Sequence, residues 1–231
     1  MEIGIVVLLY SRVKIGASKQ KNLTIYCNSV IIGVRKQRND RMTIAELPDI
    51  VYHGTLQKYK NSLEYGIDLN CSKNNLDFGK GFYTTFNYNQ AVKFAYKRAE
   101  LSNDKPMVVT YDITKELIEQ IGLNSLVFEE TNEKWYEFIF NNRVKKEYMI
   151  SDFHNKNSLY DIVYGNVADG NIGLITRKAQ NNQADFQEFM SQVKPFSDEF
   201  NQLSFHTVQS LRIIRLSNIE LLNYSKEELL C

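Results

Sequence analysis

The sequence has little cysteine, proline or tryptophan. Its 231 residues include three cysteines, three prolines and one tryptophan. Cys27, Cys71 and Cys231 are an odd number at wide spacings without a Cys-x-x-Cys pair, so neither a disulfide framework nor a zinc site is indicated. The 14 tyrosines and 13 phenylalanines supply apolar surface for a core, which argues against disorder. We expect a folded protein of a reducing compartment.

Long hydrophobic runs are also missing. The apolar run at residues 3–10 is far shorter than the ~20 residues that cross a bilayer. Glu2 stands where a signal peptide carries basic residues. The run is therefore a predicted strand, and we expect a cytoplasmic protein without a membrane partner.

The formal net charge of +1 argues against general electrostatic binding of nucleic acid by the whole molecule. This balance hides a division. Residues 1–41 hold eight basic and two acidic residues, a net of +6, and the remainder holds 20 basic and 25 acidic residues, a net of −5. We predict a basic N-terminal extension over residues 1–41, with up to two strands, and one domain over 42–231. The basic charge is predicted to be a solvated surface, with contact to a polyanion as the alternative.

From residue 50 onwards, the pattern indicates short strands and modest helices that follow one another irregularly. Strands are predicted at residues 50–53, ending at Gly54, and at 107–113, 160–164, 203–206 and 219–222. Helices are predicted at residues 90–101, 115–121, 132–142 and 176–192, and 208–216 is either a helix or a strand. Mixed strands without regular alternation with helices indicate an α+β fold.

Several chemical signatures are incomplete. The Asp77-Phe78-Gly79 triplet of protein kinases stands without the His-Arg-Asp loop and the glycine-rich loop that a kinase needs. The sequence has no phosphate-binding P-loop, no dinucleotide-binding glycine motif and no Gly-x-Ser-x-Gly elbow, and its three histidines lack metal-ligand spacing. Kinase, Rossmann, serine-hydrolase and metal chemistry are therefore not expected, and we expect no metal cofactor.

Two motifs remain, residues 52–55 (Tyr-His-Gly-Thr) and residues 79–85 (Gly-Lys-Gly-Phe-Tyr-Thr-Thr). Together they resemble the paired signature of the ADP-ribosyltransferases of the diphtheria-toxin and poly(ADP-ribose) polymerase branch, nearest to small bacterial members of uncharacterised subtype. That branch carries a second aromatic residue eleven positions after the motif tyrosine, and here Phe94 follows Tyr83 by eleven. The resemblance covers residues 50–222.

The resemblance implies a split pair of antiparallel sheets with NAD⁺ in the cleft between them. It also implies that nicotinamide stacks between Tyr83 and Phe94, and that the backbone of Gly54 reaches the carboxamide. His53 and Thr55 would then hydrogen-bond the ribose hydroxyls. The other residues that this resemblance places at the NAD⁺ site are Tyr52, Gly79, Gly81 and Phe82.

The third signature of the branch is a strand near the C-terminus with a glutamate or a replacement for it, and Gln202 is the candidate here. An amide offers hydrogen bonds but neither a charge nor a general base. Chain-elongating polymer synthesis is therefore not expected, while transfer of a single ADP-ribose and hydrolysis of NAD⁺ both stay open. Glu137, on the predicted helix 132–142, is the alternative acid.

We therefore expect an NAD⁺-dependent mono-ADP-ribosyltransferase with His53, Tyr83 and Gln202 as catalytic residues and NAD⁺ as substrate. The acceptor would be a protein or a nucleic acid. A role as a toxin or delivered effector would place its action in a target cytosol and add a cognate antitoxin as partner. An NAD⁺ glycohydrolase and a non-catalytic nucleotide-binding module are the alternatives. Each residue alone also fits an ordinary structural role, and their joint spacing is what favours a site.

Overall fold

The computed structural model describes residues 43–169, 171–196 and 199–223, together with the backbone of two strands at 24–27 and 30–33. The chain separates into two units, Met1–Arg41 and Met42–Cys231. The strand predicted at residues 3–10 lies outside the described residues.

Two short strands are described in the first unit. Here β1 (Thr24–Cys27) pairs antiparallel with β2 (Val30–Gly33), and Ile25 stands opposite Ile32. This stretch is rich in β-branched residues, which favour extended backbone. The described backbone thus contains two short strands within residues 1–41.

The second unit contains both strands and helices. Its described strands are β3 (Ile50–Leu56), β4 (Phe82–Thr84), β5 (Pro106–Ile113), β6 (Ser125–Val127), β7 (Ile162–Asn166), β8 (Ala168–Asp169), β9 (Lys194–Pro195), β10 (Asn201–Phe205) and β11 (Ile214–Leu221). Its described α-helices are α1 (Lys60–Tyr65), α2 (Tyr88–Glu100), α3 (Glu116–Ile121), α4 (Glu133–Arg143), α5 (Ile172–Gln180), α6 (Phe186–Gln192) and α7 (Val208–Leu211). Single 3₁₀ turns lie at Ile44–Glu46, Gln57–Tyr59, Leu69–Cys71 and Lys146–Tyr148.

Two sheets organise this unit. The three-stranded sheet has the order β11-β5-β3, and both of its pairs are antiparallel. The four-stranded sheet has the order β4-β10-β7-β6, with β6 parallel to β7 and the other two pairs antiparallel. The short strands β8 and β9 pair separately. The expected α+β class is therefore confirmed.

The two sheets share one apolar core. Val51 and Val109 contribute to it from the three-stranded sheet, and Phe82, Leu203 and Phe205 contribute from the four-stranded sheet. Side chains alternate between the two faces of a strand, so these residues leave the opposite faces of both sheets for other contacts.

A second core lies on the other face of the four-stranded sheet. Val163 of β7 packs there against Trp135 and Phe138 of α4, Ile175 of α5 and Phe189 of α6. The four-stranded sheet therefore contributes to a core on each face, with the other sheet on one side and helices on the other.

One predicted strand is longer than expected. The strand does not end at Gly54 but continues to Leu56, paired with β5 throughout. A Cβ atom on Gly54 would lie 2.0 Å from the carbonyl oxygen of Ala91 in α2. Gly54 thus marks the place where helix α2 approaches the strand closely, and it does not mark the end of the strand.

The helix predicted at residues 176–192 is two helices, α5 and α6. Asn182 has φ 56°, a left-handed conformation that breaks the helix. Asp185 then begins α6 as its N-cap, where its side chain accepts a hydrogen bond from Glu188 N–H. The apolar spacing of the sequence runs through this turn and does not reveal it.

The remaining predictions agree with the structure to within a few residues. Residues 208–216, which the sequence left open, contain helix α7 and the start of β11, and the strand predicted at 219–222 is part of β11. The three-residue strand β6 was not predicted. Among the described residues, no helix combines the length and the apolar character needed to cross a membrane.

Candidate active site

Strands β3 and β4, from different sheets, meet at one bridge. Tyr52 N–H donates to Thr85 O at 2.8 Å, and Thr85 N–H donates to Tyr52 O at 2.9 Å. In a continuing antiparallel ladder, the next bonded pair would be Gly54 with Tyr83. Within the described residues that pair is not formed. The ladder between β3 and β4 therefore stops after one bridge, and we call the unpaired position between Gly54 and Tyr83 the gap.

The backbone of Gly54 faces this gap. Tyr52 turns its N–H and C=O toward β4, and alternation along an antiparallel strand turns those of Gly54 the same way. On the side where a Cβ would stand, Gly54 touches the backbone of α2. The gap thus offers one backbone donor and one backbone acceptor, supported from behind by a helix.

His53 reaches across to β4. Its Nδ1 lies 2.7 Å from the carbonyl oxygen of Tyr83, which accepts only, so Nδ1–H is the donor and Nε2 is left as an acceptor. The ring packs on Phe82 with 4.6 Å between centroids. Burial lowers the pKa of His53 to about 4, against the opposing effect of the bond to Tyr83, and the positive charge of Arg98 lowers it further. The imidazole is therefore neutral at pH 7.

Tyr83 and Gln202 lie on the same face of the four-stranded sheet. By the strand register, Gln202 is a diagonal neighbour of Tyr83 on the adjacent strand β10. The Tyr83 hydroxyl donates to Gly79 O at 2.6 Å and accepts from Phe78 N–H at 3.0 Å. Burial raises the pKa of Tyr83 well above its ordinary value, and the charge of Asp77 adds to the increase. The hydroxyl therefore stays protonated and holds the glycine-rich loop.

Gln202 is 7% exposed and is bound through its amide nitrogen. Nε2 donates to Asp77 Oδ2 at 3.3 Å and to Asn166 O at 3.2 Å. The other oxygen of Asp77 accepts from Arg143 Nε at 2.6 Å, and Arg143 Nη2 lies 2.5 Å from the same oxygen. A largely buried ion pair thus stands directly behind Gln202.

The alternative acid, Glu137, lies elsewhere on α4. It accepts a hydrogen bond from the Ser151 hydroxyl at 2.5 Å. In the part of the chain that the structure describes, no hydrogen bond or ion pair joins Glu137 to Tyr83 or Gln202. The strand register thus places Gln202 diagonal to Tyr83, while the described hydrogen bond of Glu137 is with Ser151.

Phe94 is on α2 and is 53% exposed. The guanidinium of Arg98, one turn further along the helix, lies 5.9 Å from the centre of its ring. Among the described residues, no ring contact joins Phe94 to Tyr83. A nicotinamide sandwich between the two rings stays a prediction, and it requires the ligand to fill the space between them.

Three other predicted site residues flank His53. Tyr52 packs edge-on against Tyr88 of α2, with 5.4 Å between ring centres. Thr55 is 2% exposed on the same face of β3 as His53. Phe82 is part of the core between the sheets. Of the three, Thr55 is the residue that shares a face of β3 with His53.

The two glycines of the second motif pack against the protein itself. Gly79 has φ 92°, and a Cβ there would lie 2.9 Å from Asn155 O. A Cβ on Gly81 would lie 2.6 Å from His206 Nδ1, which donates to Lys80 O at 2.8 Å. That these glycines admit a ligand stays a prediction. Their close packing within the protein is by itself a sufficient reason for a glycine at each of the two positions.

Sequence reasoning missed Asp77, Arg143 and Arg98. Asp77 stood out in the Asp-Phe-Gly triplet but was considered only for a kinase site. Arg98 follows Phe94 by four residues, a spacing that places both on one helix face, and this was the available signal. Arg143 had no signal, because its contact with Asp77 joins residues 66 positions apart.

The groups that border the gap directly are the backbone donor and acceptor of Gly54 and the Nε2 acceptor of neutral His53. These groups suit a ligand with amide and hydroxyl groups. Within the described ranges, no three His, Cys, Asp or Glu side chains gather as a metal site would require. Two surface hollows, one lined by residues 182–185 and 188 and the other by 62 and 65–68, lie outside the gap.

No curated protein and no solved structure matches this chain significantly. A family model described as a protein of unknown function, DUF3990, matches residues 50–216. This match covers both motifs, the two sheets up to the middle of β11, and Gln202. The chain therefore belongs to the DUF3990 family.

Proposed function

We propose that this protein is a mono-ADP-ribosyltransferase, which cleaves NAD⁺ between nicotinamide and ribose and transfers ADP-ribose to a macromolecular acceptor. The observation that carries the proposal is the gap between Gly54 and Tyr83. There an antiparallel ladder stops after one bridge and leaves the N–H and C=O of Gly54 without a backbone partner on β4. These groups match the two hydrogen-bonding sides of a carboxamide.

The binding step uses the gap and the residues beside it. The carboxamide pairs with the N–H and C=O of Gly54, and the nicotinamide ring lies against the face of Tyr83, where stacking and cation–π attraction favour a flat cation. Neutral His53 accepts a hydrogen bond from a ribose hydroxyl at Nε2, since its Nδ1–H is bound to Tyr83 O.

In the chemical step, the C–N glycosidic bond breaks and its electron pair leaves with nicotinamide. The ribose carbon passes through a transition state with oxocarbenium character, as in glycoside hydrolysis. An acceptor nucleophile then forms the new bond to that carbon and loses its proton to solvent or to a basic group of the acceptor. Neutral Gln202 supplies a hydrogen bond and no base, so catalysis here is mainly orientation.

Incubation with NAD⁺ labelled in its adenylate phosphate tests the proposal directly. We expect release of nicotinamide together with label on a protein or nucleic-acid acceptor. Free ADP-ribose without a labelled acceptor would identify a glycohydrolase. Calorimetric binding of NAD⁺ without turnover would identify a binding module, and neither turnover nor binding would overturn the proposal altogether.

Two substitutions of Tyr83 distinguish the contribution of its ring from that of its hydroxyl. Tyr83→Ala removes the stacking surface and should lower the rate of nicotinamide release by about tenfold or more. Tyr83→Phe keeps the ring and should retain most of that rate, because the hydroxyl is bound to the loop and not to the gap. Tyr65→Ala, at a tyrosine that is 97% exposed, is the matched control. An unchanged rate in Tyr83→Ala contradicts the role of the ring.

A further inference from the structure

The amide of Gln202 has a fixed orientation. Its Nε2 faces two acceptors, Asp77 Oδ2 at 3.3 Å and Asn166 O at 3.2 Å. In the reverse orientation, Oε1 would face a carboxylate and a carbonyl, neither of which can donate. The nitrogen of Gln202 therefore points inward and the oxygen is left for another partner.

The oxygen Oε1 of Gln202 accepts no hydrogen bond from the residues that the structure describes. The buried side-chain polar atoms without a partner in that part of the chain are Tyr111 Oη and Trp135 Nε1. Oε1 of Gln202 is not among them, so it keeps contact with solvent although the residue is 7% exposed. Gln202 thus presents one accessible acceptor on the face of the sheet that carries Tyr83.

Asp77 is paired with the guanidinium of Arg143 at this largely buried place. The Asp77 side chain is 7% exposed and that of Arg143 is 20% exposed, and they meet through Oδ1, which leaves Oδ2 for Gln202. A buried carboxylate without such a partner would be strongly disfavoured. The ion pair therefore supplies a permanent acceptor against which the glutamine is aligned.

We propose that Asp77 is a positioning residue of the ligand site: held by Arg143, it fixes the Gln202 amide so that Oε1 is offered to a hydrogen-bond donor of the substrate. This inference rests on the proposed function, and under that function the donor is a hydroxyl of the NAD⁺ ribose. The site then selects a substrate that has a hydrogen-bond donor opposite Oε1. A substrate with a hydrogen-bond acceptor there would place two acceptors against each other.

Exchanging the carboxylate of position 77 and the amide of position 202 tests the positioning role of Asp77. In Asp77→Asn, the oxygen of the new amide pairs with Arg143 and its nitrogen faces Gln202, so the glutamine must turn and present Nε2 instead of Oε1. In Gln202→Glu, two carboxylates face each other. In the double variant, the amide nitrogen introduced at position 77 donates to the carboxylate introduced at position 202, and an outward acceptor is restored.

We expect each single variant to lower kcat/KM for nicotinamide release by about tenfold or more, and the double variant to recover most of that loss. Asp161→Asn is the matched control, since Asp161 also accepts structural hydrogen bonds, from Asn124 N–H and the Thr207 hydroxyl, but does not contact Gln202. If the loss of kcat/KM in the double variant equals the product of the two single losses, the positioning role of Asp77 is overturned.

A second measurement does not depend on turnover. In ¹⁵N-labelled protein, the side-chain amide protons of Gln202 should exchange slowly with solvent, and Asp77→Asn should make their exchange at least about tenfold faster while the fold is kept. Unchanged exchange would overturn the proposal. If the unaltered protein leaves NAD⁺ intact, the proposed function fails, while these spectra still decide whether Asp77 orients Gln202.

Discussion

Gly81 illustrates how a motif glycine can be fixed by packing. A Cβ there would lie 2.6 Å from His206 Nδ1 and 2.7 Å from Phe205 O. We expect Gly81→Ala to lower the free energy of unfolding by roughly 1–3 kcal/mol, since backbone and a buried ring must shift. Urea denaturation measures the change.

The control for this substitution is Gly173 in α5. A Cβ at this position would meet no atom within 4 Å. Gly173→Ala should therefore raise stability by about 0.5–1 kcal/mol through the better helix propensity of alanine. Equal effects of the two substitutions would contradict the steric explanation for Gly81.

The lowered pKa values of two histidines make the stability of the protein depend on pH. Burial lowers the pKa of both His53 and His206 from 6.5 to about 4. The unfolded chain thus binds protons between pH 6.5 and 4 that the folded chain does not, so stability is full above pH 6.5 and falls as the pH drops.

Urea denaturation at pH 7.5, 6.5 and 5.5 measures this effect. Above about pH 5 most carboxylates remain ionised, so the histidines dominate the slope. We expect unfolding to take up about two protons near pH 5.5, and His53→Gln to remove about one of them. Stability that is unchanged or increases from pH 7.5 to 5.5 would contradict the burial of both rings.

The two motifs of the candidate site could be found because short spacing defines them. Residues 52–55 and 79–85 carry their pattern within a few positions, and in the structure His53 Nδ1 lies 2.7 Å from Tyr83 O, while their role in binding a ligand stays a prediction. The Gln202–Asp77 contact joins residues 125 positions apart. It depends on the pairing of β10 with its neighbours, which local spacing does not specify.

Helix α2 carries Phe94 and Arg98 and packs its backbone at Ala91 against Gly54, and Asn87 sets its start. The Asn87 side chain accepts a hydrogen bond from Gln90 N–H at 3.1 Å. Asn87→Ala should lower the free energy of unfolding by about 1 kcal/mol. Asn89→Ala, at a position that does not cap the helix, should have a small effect in the same urea titration. Equal losses would contradict the capping role.

Elements with strong local signals were predicted well, and elements without them were not. Helix α2 combines a cap with regularly spaced alanines, and its expected bounds were within two residues of those found. Helices α5 and α6 were merged, because one continuous apolar spacing covers two helix faces that pack in the same core. Strand β6 was missed because its three residues are held by parallel pairing with β7, a distant contact.

At the scale of the whole molecule, charge is divided between the units. Met1–Arg41 carries +6 and the remainder −5. We expect any affinity of the full chain for single-stranded RNA to come from the first unit, with a strong salt dependence. Fluorescence anisotropy at several salt concentrations measures it. The variant replaces four basic residues by glutamine, namely Arg35, Lys36, Arg38 and Arg41.

Loss of four phosphate contacts should reduce the slope of log K against log salt by about 3. The control replaces the same number of exposed lysines in the second unit by glutamine, namely Lys93, Lys97, Lys134 and Lys145. A larger loss of slope in the control would assign the binding to the second unit.

The strand order of the four-stranded sheet also bears on biosynthesis. Strand β10 lies between β4 and β7, although it follows both in the chain. Pairing of Tyr83 with Ser204 closes a loop of more than a hundred residues, the kind of contact that forms slowly. A ribosome must therefore polymerise beyond residue 205 before Tyr83 and Gln202 can meet. Shorter nascent chains therefore lack the pairing of β10 with β4, and the candidate site stays incomplete during most of translation.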